Sequence, residues 1–289
     1  MPKILFFFLV PMLVFGQSKT VRITSKKTLE LPEKVAETSG LEAWNGWIFT
    51  HNDSGNKAFL YALDPKDGKI LHEWKLPVRN RDFEDITQDS TYFYVADVGN
   101  NYNVRTHLNI YRVEKKPLLQ NKIAIDSISF HWPSVKSDST KFINYNCEAL
   151  VASGDSLFLF TKEKHRTAVF SIPKVPGHHV ARYKSEFRQK NFFATGAYFN
   201  ESLHRLVLCG YDNQLRTFIL DFSNFQSTNF FSAKVQKYRF TKSFRQTEGI
   251  TSFNGYDFYL SNERFHLPLL VNKKQQLHKI KLPKLPRTD

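Results

Sequence analysis

Five stretches decide how this chain folds: WIFTHND (Trp47–Asp53), YFYVAD (Tyr92–Asp97), LFLFTKE (Leu157–Glu163), LVLCGYD (Leu206–Asp212) and DFYLSNE (Asp257–Glu263). Each is a short apolar or aromatic run that ends on an acid: Asp53, Asp97, Glu163, Asp212 and Glu263. A strand-like unit returning about every 50 residues marks a repeat architecture, in which one unit cannot bury its faces alone and must stack on its neighbours.

Around each stretch the same order of elements returns. In the first unit Thr38-Ser39-Gly40-Leu41 opens a strand, Asn45-Gly46 makes a hairpin turn into the acid-tipped strand, Ala58–Leu63 follows, and Ile70–Leu76 comes after the turn signal Asp64-Pro65-Lys66-Asp67-Gly68. The later units open at Glu84-Asp85-Ile86, Glu148-Ala149-Leu150, Thr195-Gly196-Ala197 and Glu248-Gly249-Ile250. The fifth unit is one strand short, while the head of the chain carries a spare strand at Val21–Leu31. Pairing the two completes the count. Radial four-stranded sheets make a β-propeller, so the fold class is all-β: a five-bladed β-propeller closed by an N-terminal strand. The alternative is a six-bladed propeller with one more blade in the long Asp97–Glu163 interval, where no further opening motif is found.

The composition agrees. Phe and Tyr are abundant, with 27 and 12 copies, and Met is scarce, with 2, which suits strands rather than helices. Residues 1–16 read as a signal peptide, with Lys3 as the basic region and Ile4–Phe15 as an apolar run too short to span a bilayer. Residues 17–289 then form a single propeller domain, exported to the periplasm or secreted, with no transmembrane anchor and no C-terminal sorting domain, and a monomer is expected. Cys147 and Cys209 are read as free buried thiols, one disulfide between them being the alternative. The formal charge of +14 is spread along the chain and reads as a solvated basic surface; no nucleic-acid module is recognisable.

Several of the turns and openings together, Thr38-Ser39-Gly40-Leu41, His51-Asn52-Asp53-Ser54-Gly55-Asn56, Glu84-Asp85-Ile86, Asp97-Val98-Gly99-Asn100-Asn101, Cys147-Glu148-Ala149 and Gln246-Thr247-Glu248-Gly249-Ile250, span nearly the whole mature chain. In this combination the chain resembles a group of exported bacterial β-propeller proteins of unassigned function. The resemblance implies the fold and export, and transfers no catalytic residue.

In a four-stranded blade, the loop into the first strand and the loop from second to third lie on one face. That puts Ser39, Glu84, Glu148, Thr195 and Glu248 at one end of the axis, inside a rim formed by Asp53, Asp97, Glu163, Asp212 and Glu263. Gathered like charges must be paired, protonated or metal-bound. Lys162 is the cation best placed to reach Glu84, Glu148 and Glu248, with His51, Arg81, Arg105, Lys164, Arg245 and Arg264 as further partners. The rim acids are read chiefly as turn caps, which makes the inner glutamates the better functional candidates.

The leading expectation is a binding face for a small-molecule, glycan or protein ligand, with His51, Asn52, Asp53, Asp97, Lys162, Asn262 and Glu263 as candidate contacts. The alternative is a hydrolase, glycosidase-like or lactonase/esterase-like, working through the axial carboxylates Glu84, Glu148 and Glu248. The layout of Asp53, Asp97 and Glu148 is similar to that of five-bladed glycosidases. No resident cofactor is expected; calcium is the alternative, held by oxygen ligands from Asn52, Glu84, Asp97 and Glu248. There is no Gly-x-Ser-x-Gly, His-Glu-x-x-His or phosphate-binding glycine loop. His178-His179 read as surface histidines, and the aromatic residues as filling between blades.

Overall fold

The computed structural model describes residues 20–133, 145–243, 245–268 and 270–283. They form a five-bladed β-propeller. Blade one is Thr38–Trp44, Trp47–Asn52, Phe59–Leu63 and Ile70–Lys75. Blade two is Phe83–Gln88, Tyr92–Asp97, Leu108–Glu114 and Ile125–His131. Blade three is Cys147–Ser153, Ser156–Thr161, Arg166–Pro173 and Arg182–Arg188. Blade four is Phe193–Asn200, Arg205–Tyr211, Arg216–Ser223 and Lys234–Ser243. Blade five is Thr247–Ser252, Asp257–Asn262 and Gln276–Lys281, completed from the head of the chain by Lys27–Glu30.

The closure differs in one respect from the single spare strand of the sequence reading. The segment bends near Lys26 and makes two strands. Val21–Ile23 runs parallel to the outer strand of blade four, with Val21 opposite Tyr238, and Lys27–Glu30 runs antiparallel to Gln276–Lys281, with Thr28 opposite His278. The head of the chain therefore clasps two blades. A second addition comes from Gly177–Val180, which leaves blade three to run parallel to the outer strand of blade two.

The period-two pattern of the second strands explains the stacking. Ile48 faces blade five and Phe49 faces blade two; Phe93 and Val95 face blade one, while Tyr94 and Ala96 face blade three. Leu206 and Leu208 face blade three, and Val207 and Cys209 face blade five. Each strand is thus apolar on both sides, and five buried clusters fill the five blade interfaces. Many of the aromatic residues sit in these clusters: Phe49 and Phe93 meet at 4.5 Å, and Trp132 and Phe170 at 4.9 Å, while Tyr102 and Phe253 are exposed. Cys147 and Cys209 are both free and buried, in different interfaces.

The first strand of every blade touches the first strands of both neighbours, closing a ring around the axis. All five carry a bulge just after they begin, between Ser39 and Glu42, Phe83 and Ile86, Cys147 and Ala149, Ala194 and Gly196, and Thr247 and Gly249. A bulge adds a residue and re-aims its side chain. Here the residues so placed cross-link the ring. Ser39 Oγ donates to the Glu84 carbonyl at 2.6 Å, and Thr195 Oγ1 donates to that of Thr247. The buried Asp85 carboxylate accepts the N–H groups of Ile86, Leu150 and Ala197 at 2.9, 2.8 and 3.2 Å, joining blades two, three and four.

Candidate functional site

At the end of the axis where the inner strands begin, carboxylates from four blades converge. Asp53 ends the second strand of blade one, Asp82 and Glu84 flank the start of blade two, and one oxygen from each lies within 4.8 Å of the others. Gly99, in the loop after the second strand of blade two, allows this approach. A Cβ there would stand 2.0 Å from Glu84 Oε1 and 2.4 Å from Asp82 Oδ2, so any side chain would displace both acids. Among the described residues none of these three acids forms an ion pair. Glu148 does: it receives Lys162 Nζ, and Asn146 Nδ2 at 2.9 Å. Lys162 also lies over the Tyr211 ring, 5.4 Å from its centroid.

Burial and mutual repulsion shape the proton affinities. Burial, then Asp82 and Glu148, pushes Asp53 up to about 7. Burial, then Asp53 and Glu37, pushes Glu263 up to about 8. Glu84 and Glu248 are raised well above the usual carboxylate range, first by burial and then by Glu148 and Glu263 respectively. Burial alone would lower Lys162, but Glu148, Glu248, Tyr211 and Glu84 outweigh it and hold the ammonium charged. Burial and the neighbouring Glu248 raise the Tyr211 phenol. Among the described residues the mouth is therefore a crowd of acids around the Lys162 ammonium, with protons held on the acids that no cation pairs.

The five rim acids do not share one environment. Asp212 receives Arg216 Nε at 2.6 Å and the N–H groups of Gln214 and Arg216 at 2.9 and 3.0 Å. Glu163 receives Arg166 Nε at 2.7 Å and Thr161 Oγ1 at 2.8 Å. Asp97 receives Arg105 Nη2 at 2.8 Å and the Asp82 N–H at 3.0 Å. Asp53 caps its own turn through the Ser54 N–H yet stays in the crowd of acids, as does Glu263. Turn and ion-pair chemistry thus accounts for three rim acids, and the other two belong with the axial glutamates.

Other candidate contacts are engaged in the scaffold. His51 is buried edge-on against Phe83, and burial lowers its ring to about 4. Asn52 Nδ2 donates to the Lys34 carbonyl at 2.8 Å. Asn262 Nδ2 donates to the carbonyls of Glu263 and Lys274, and its Oδ1 meets His278 Nε2 at 2.8 Å. Arg264 pairs with Glu33 rather than with Glu263. Sequence reasoning missed Asp82, Asn146 and Tyr211. Asp82 was within reach, because residues 82 and 84 share one side of an extended chain.

No family model and no curated protein matches this chain. Its fold is similar to that of solved bacterial proteins at low identity. One is the PQQ-bound aldose sugar dehydrogenase of Streptomyces coelicolor: TM-score 0.51, 9% identity, covering 90% of this chain and 97% of that one. Another is a putative oxidoreductase (glucose dehydrogenase) of Thermus thermophilus: TM-score 0.50, 9% identity, covering 88% and 99%. A member of the DUF4221 family from Bacteroides vulgatus gives TM-score 0.44 at 10% identity, covering 93% and 100%. What fold and site define is a five-bladed propeller with an acidic axial mouth. Among the described residues no helix is long and apolar enough to cross a membrane.

Proposed function

We propose that the protein is an exported binding propeller whose acidic mouth takes an oxygen-rich small molecule or glycan through a calcium ion seated among Asp53, Asp82 and Glu84. One observation carries this reading: three carboxylates converge within 4.8 Å around Gly99, and no basic side chain among the described residues pairs with them. Calcium is a hard cation served by carboxylate and carbonyl oxygens, and its charge would offset the burial and the mutual repulsion that otherwise hold protons on Asp53 and Glu84. A ligand that binds only the folded state stabilises it, by about 2.7 kcal/mol at a hundredfold excess over Kd. Millimolar calcium is therefore expected to raise the melting temperature of the mature chain by several degrees, chelator to reverse the gain, and Asp82→Asn to abolish it. A wild-type melting curve indifferent to both calcium and chelator would refute the reading.

Export rests on residues 1–16, which lie outside the described residues. N-terminal sequencing of protein recovered from the periplasm or medium should begin at Gln17; retention in the cytosol with Met1 intact would count against it.

A second reading, a glycosidase- or lactonase-like hydrolase at the same mouth, is favoured by the pairing of unlike acids. Glu263 holds its proton to about 8, while Glu148 is paired with Lys162. This reading requires turnover of aryl glycosides or lactones that Glu148→Gln removes. Finding no turnover in the wild type leaves the binding propeller.

A further inference from the structure

The sequence pairs His178 with His179, but the fold does not. His179 turns its Nε2 to the Val175 carbonyl at 3.0 Å. His178 leaves blade three on the strand Gly177–Val180, which lies parallel to Ile125–His131 of blade two with His178 opposite Ser129. Its Nε2 stands 3.0 Å from His131 Nδ1, and the two rings lie 5.1 Å apart at 24°. A third imidazole joins them. His107 precedes Leu108, which pairs with Phe130, so the register carries His107 across from His131, and its ring centroid is 5.5 Å from that of His178. Two adjacent strands and the residue before a third thus present three histidines on one side of the sheet at the outer edge of blade two, at the end where its second-to-third-strand loop lies. Ser129 and Asn109 bond to each other on the same side at 2.8 Å.

We propose that His107, His131 and His178 form a binding site for a transition-metal cation of the Zn²⁺ or Cu²⁺ class. Neutral imidazole suits these ions, whereas calcium and magnesium take oxygen ligands. Zn–N bonds of about 2.0–2.1 Å in a tetrahedral site hold ligand nitrogens about 3.3 Å apart, so the 3.0 Å pair needs to open by only a few tenths of an ångström. The exposed His107 ring has to turn a nitrogen toward that pair to complete the site. Two rings sit on sheet strands, which fixes their backbones, and the third stands at the first residue before one. A metal here would staple the strand that leaves blade three to the sheet of blade two. This site is independent of the calcium reading, being built from different residues and a different ligand chemistry.

The test is calorimetric titration of the metal-stripped mature protein with zinc chloride in the presence of calcium. One equivalent should bind, and binding should raise the melting temperature. Losing a residue that merely orients a metal ligand costs about 10–100-fold in affinity, so removing a ligand itself, as in His131→Ala or His178→Ala, should weaken zinc at least tenfold. His179→Ala and Asp82→Asn should leave zinc binding unchanged. His107→Ala, outside the strands, keeps the test valid if a strand variant fails to fold, and should also weaken binding at least tenfold. Copper(II) loading gives a second readout, because three imidazoles should impose nitrogen hyperfine structure on its electron-paramagnetic spectrum. No stoichiometric zinc uptake, uptake indifferent to His178→Ala and His107→Ala, or a copper spectrum from oxygen ligands alone would each overturn the proposal.

Discussion

Blades two to four and blades five and one each carry an acid at the same strand end, yet use it differently. In blades two, three and four an arginine follows in the next loop or opens the third strand: Arg105 for Asp97, Arg166 three residues after Glu163, and Arg216 four residues after Asp212. In blade one no arginine stands between Asp53 and the third strand, and in blade five Arg264 is drawn away to Glu33. The first three acids are scaffold. Asp53 and Glu263, left without such partners, join Asp82, Glu84, Glu148 and Glu248 in a shared field where Lys162 is the facing cation. A repeat marker sets where an acid stands, and the loop after it sets what the acid does.

If counter-ions divide scaffold acids from site acids, removing one should matter in proportion to its burial. The steepest case is Arg205 in blade four, which is fully buried with Asp221. Its Nε and Nη2 reach that carboxylate at 2.9 and 2.6 Å, and its Nη1 reaches the Gly255 carbonyl of blade five at 2.6 Å. Removing one partner of a buried pair strands the other charge away from water, at a cost of about 3–5 kcal/mol. Arg205→Ala should lower the urea midpoint accordingly. Arg216→Ala, at a partly exposed pair whose Asp212 keeps two N–H donors, should cost about 1 kcal/mol or less. Equal losses in the two variants would break the comparison.

The fold was legible because periodicity reports it. Alternation in the second strands encodes two apolar sides, and the missing outer strand of blade five against the spare one at the head encodes closure. The split of that head segment at Lys26 was not legible, since its alternation runs on through the bend. Of the site, Glu84, Glu148, Glu248 and Lys162 were placed together by counting from the openings, and the ion pair of Lys162 with Glu148 is one such meeting. Asp82 escaped because it lies outside the repeated opening. His131 and His178, 47 residues apart in different units, met only through a strand that crosses between blades, which no spacing within a unit reveals.

A smaller effect of opposite sign is expected at the mouth. Glu248 is held above its ordinary range, first by burial and then by Glu263. A carboxyl whose folded pKa is raised costs nothing below its unfolded pKa, and the cost grows as pH rises toward the folded value. Glu248→Gln should therefore stabilise the fold by about 0.5–1 kcal/mol at pH 8, the scale of one like-charged contact, and not at pH 4. Denaturant titrations of both proteins at the two pH values measure this difference. A loss of stability at pH 8 would mean that Lys162 counts Glu248 as a partner, as it does Glu148, and would move Glu248 to the scaffold side of the comparison.

The smallest effect sharpens the comparison, because it concerns an acid with neutral donors instead of a cation. Glu42 lies further along the inner strand of blade one. Its Oε1 accepts the Ala43 N–H and Gln88 Nε2, both at 2.9 Å, and Thr251 Oγ1 at 3.4 Å. Lys115 stands one bond away, donating to Gln88 Oε1 at 2.9 Å. Burial pushes Glu42 up to about 7 despite these donors and Lys115, so dipoles alone do not hold it ionised as Arg216 helps hold Asp212. Between the ordinary carboxylate range and about 7 the folded chain keeps a proton that the unfolded chain has lost, and stability falls as pH rises through that window. Glutamine keeps the accepting oxygen and cannot ionise. Glu42→Gln should thus be level with wild type at pH 4 and ahead by about 0.5 kcal/mol at pH 8, a figure discounted because Glu42 keeps some contact with water. Parallel stability curves for the two proteins across this range would show that three neutral donors and a distant lysine serve Glu42 as well as a direct arginine does, and that counter-ions alone do not draw the line between scaffold and site.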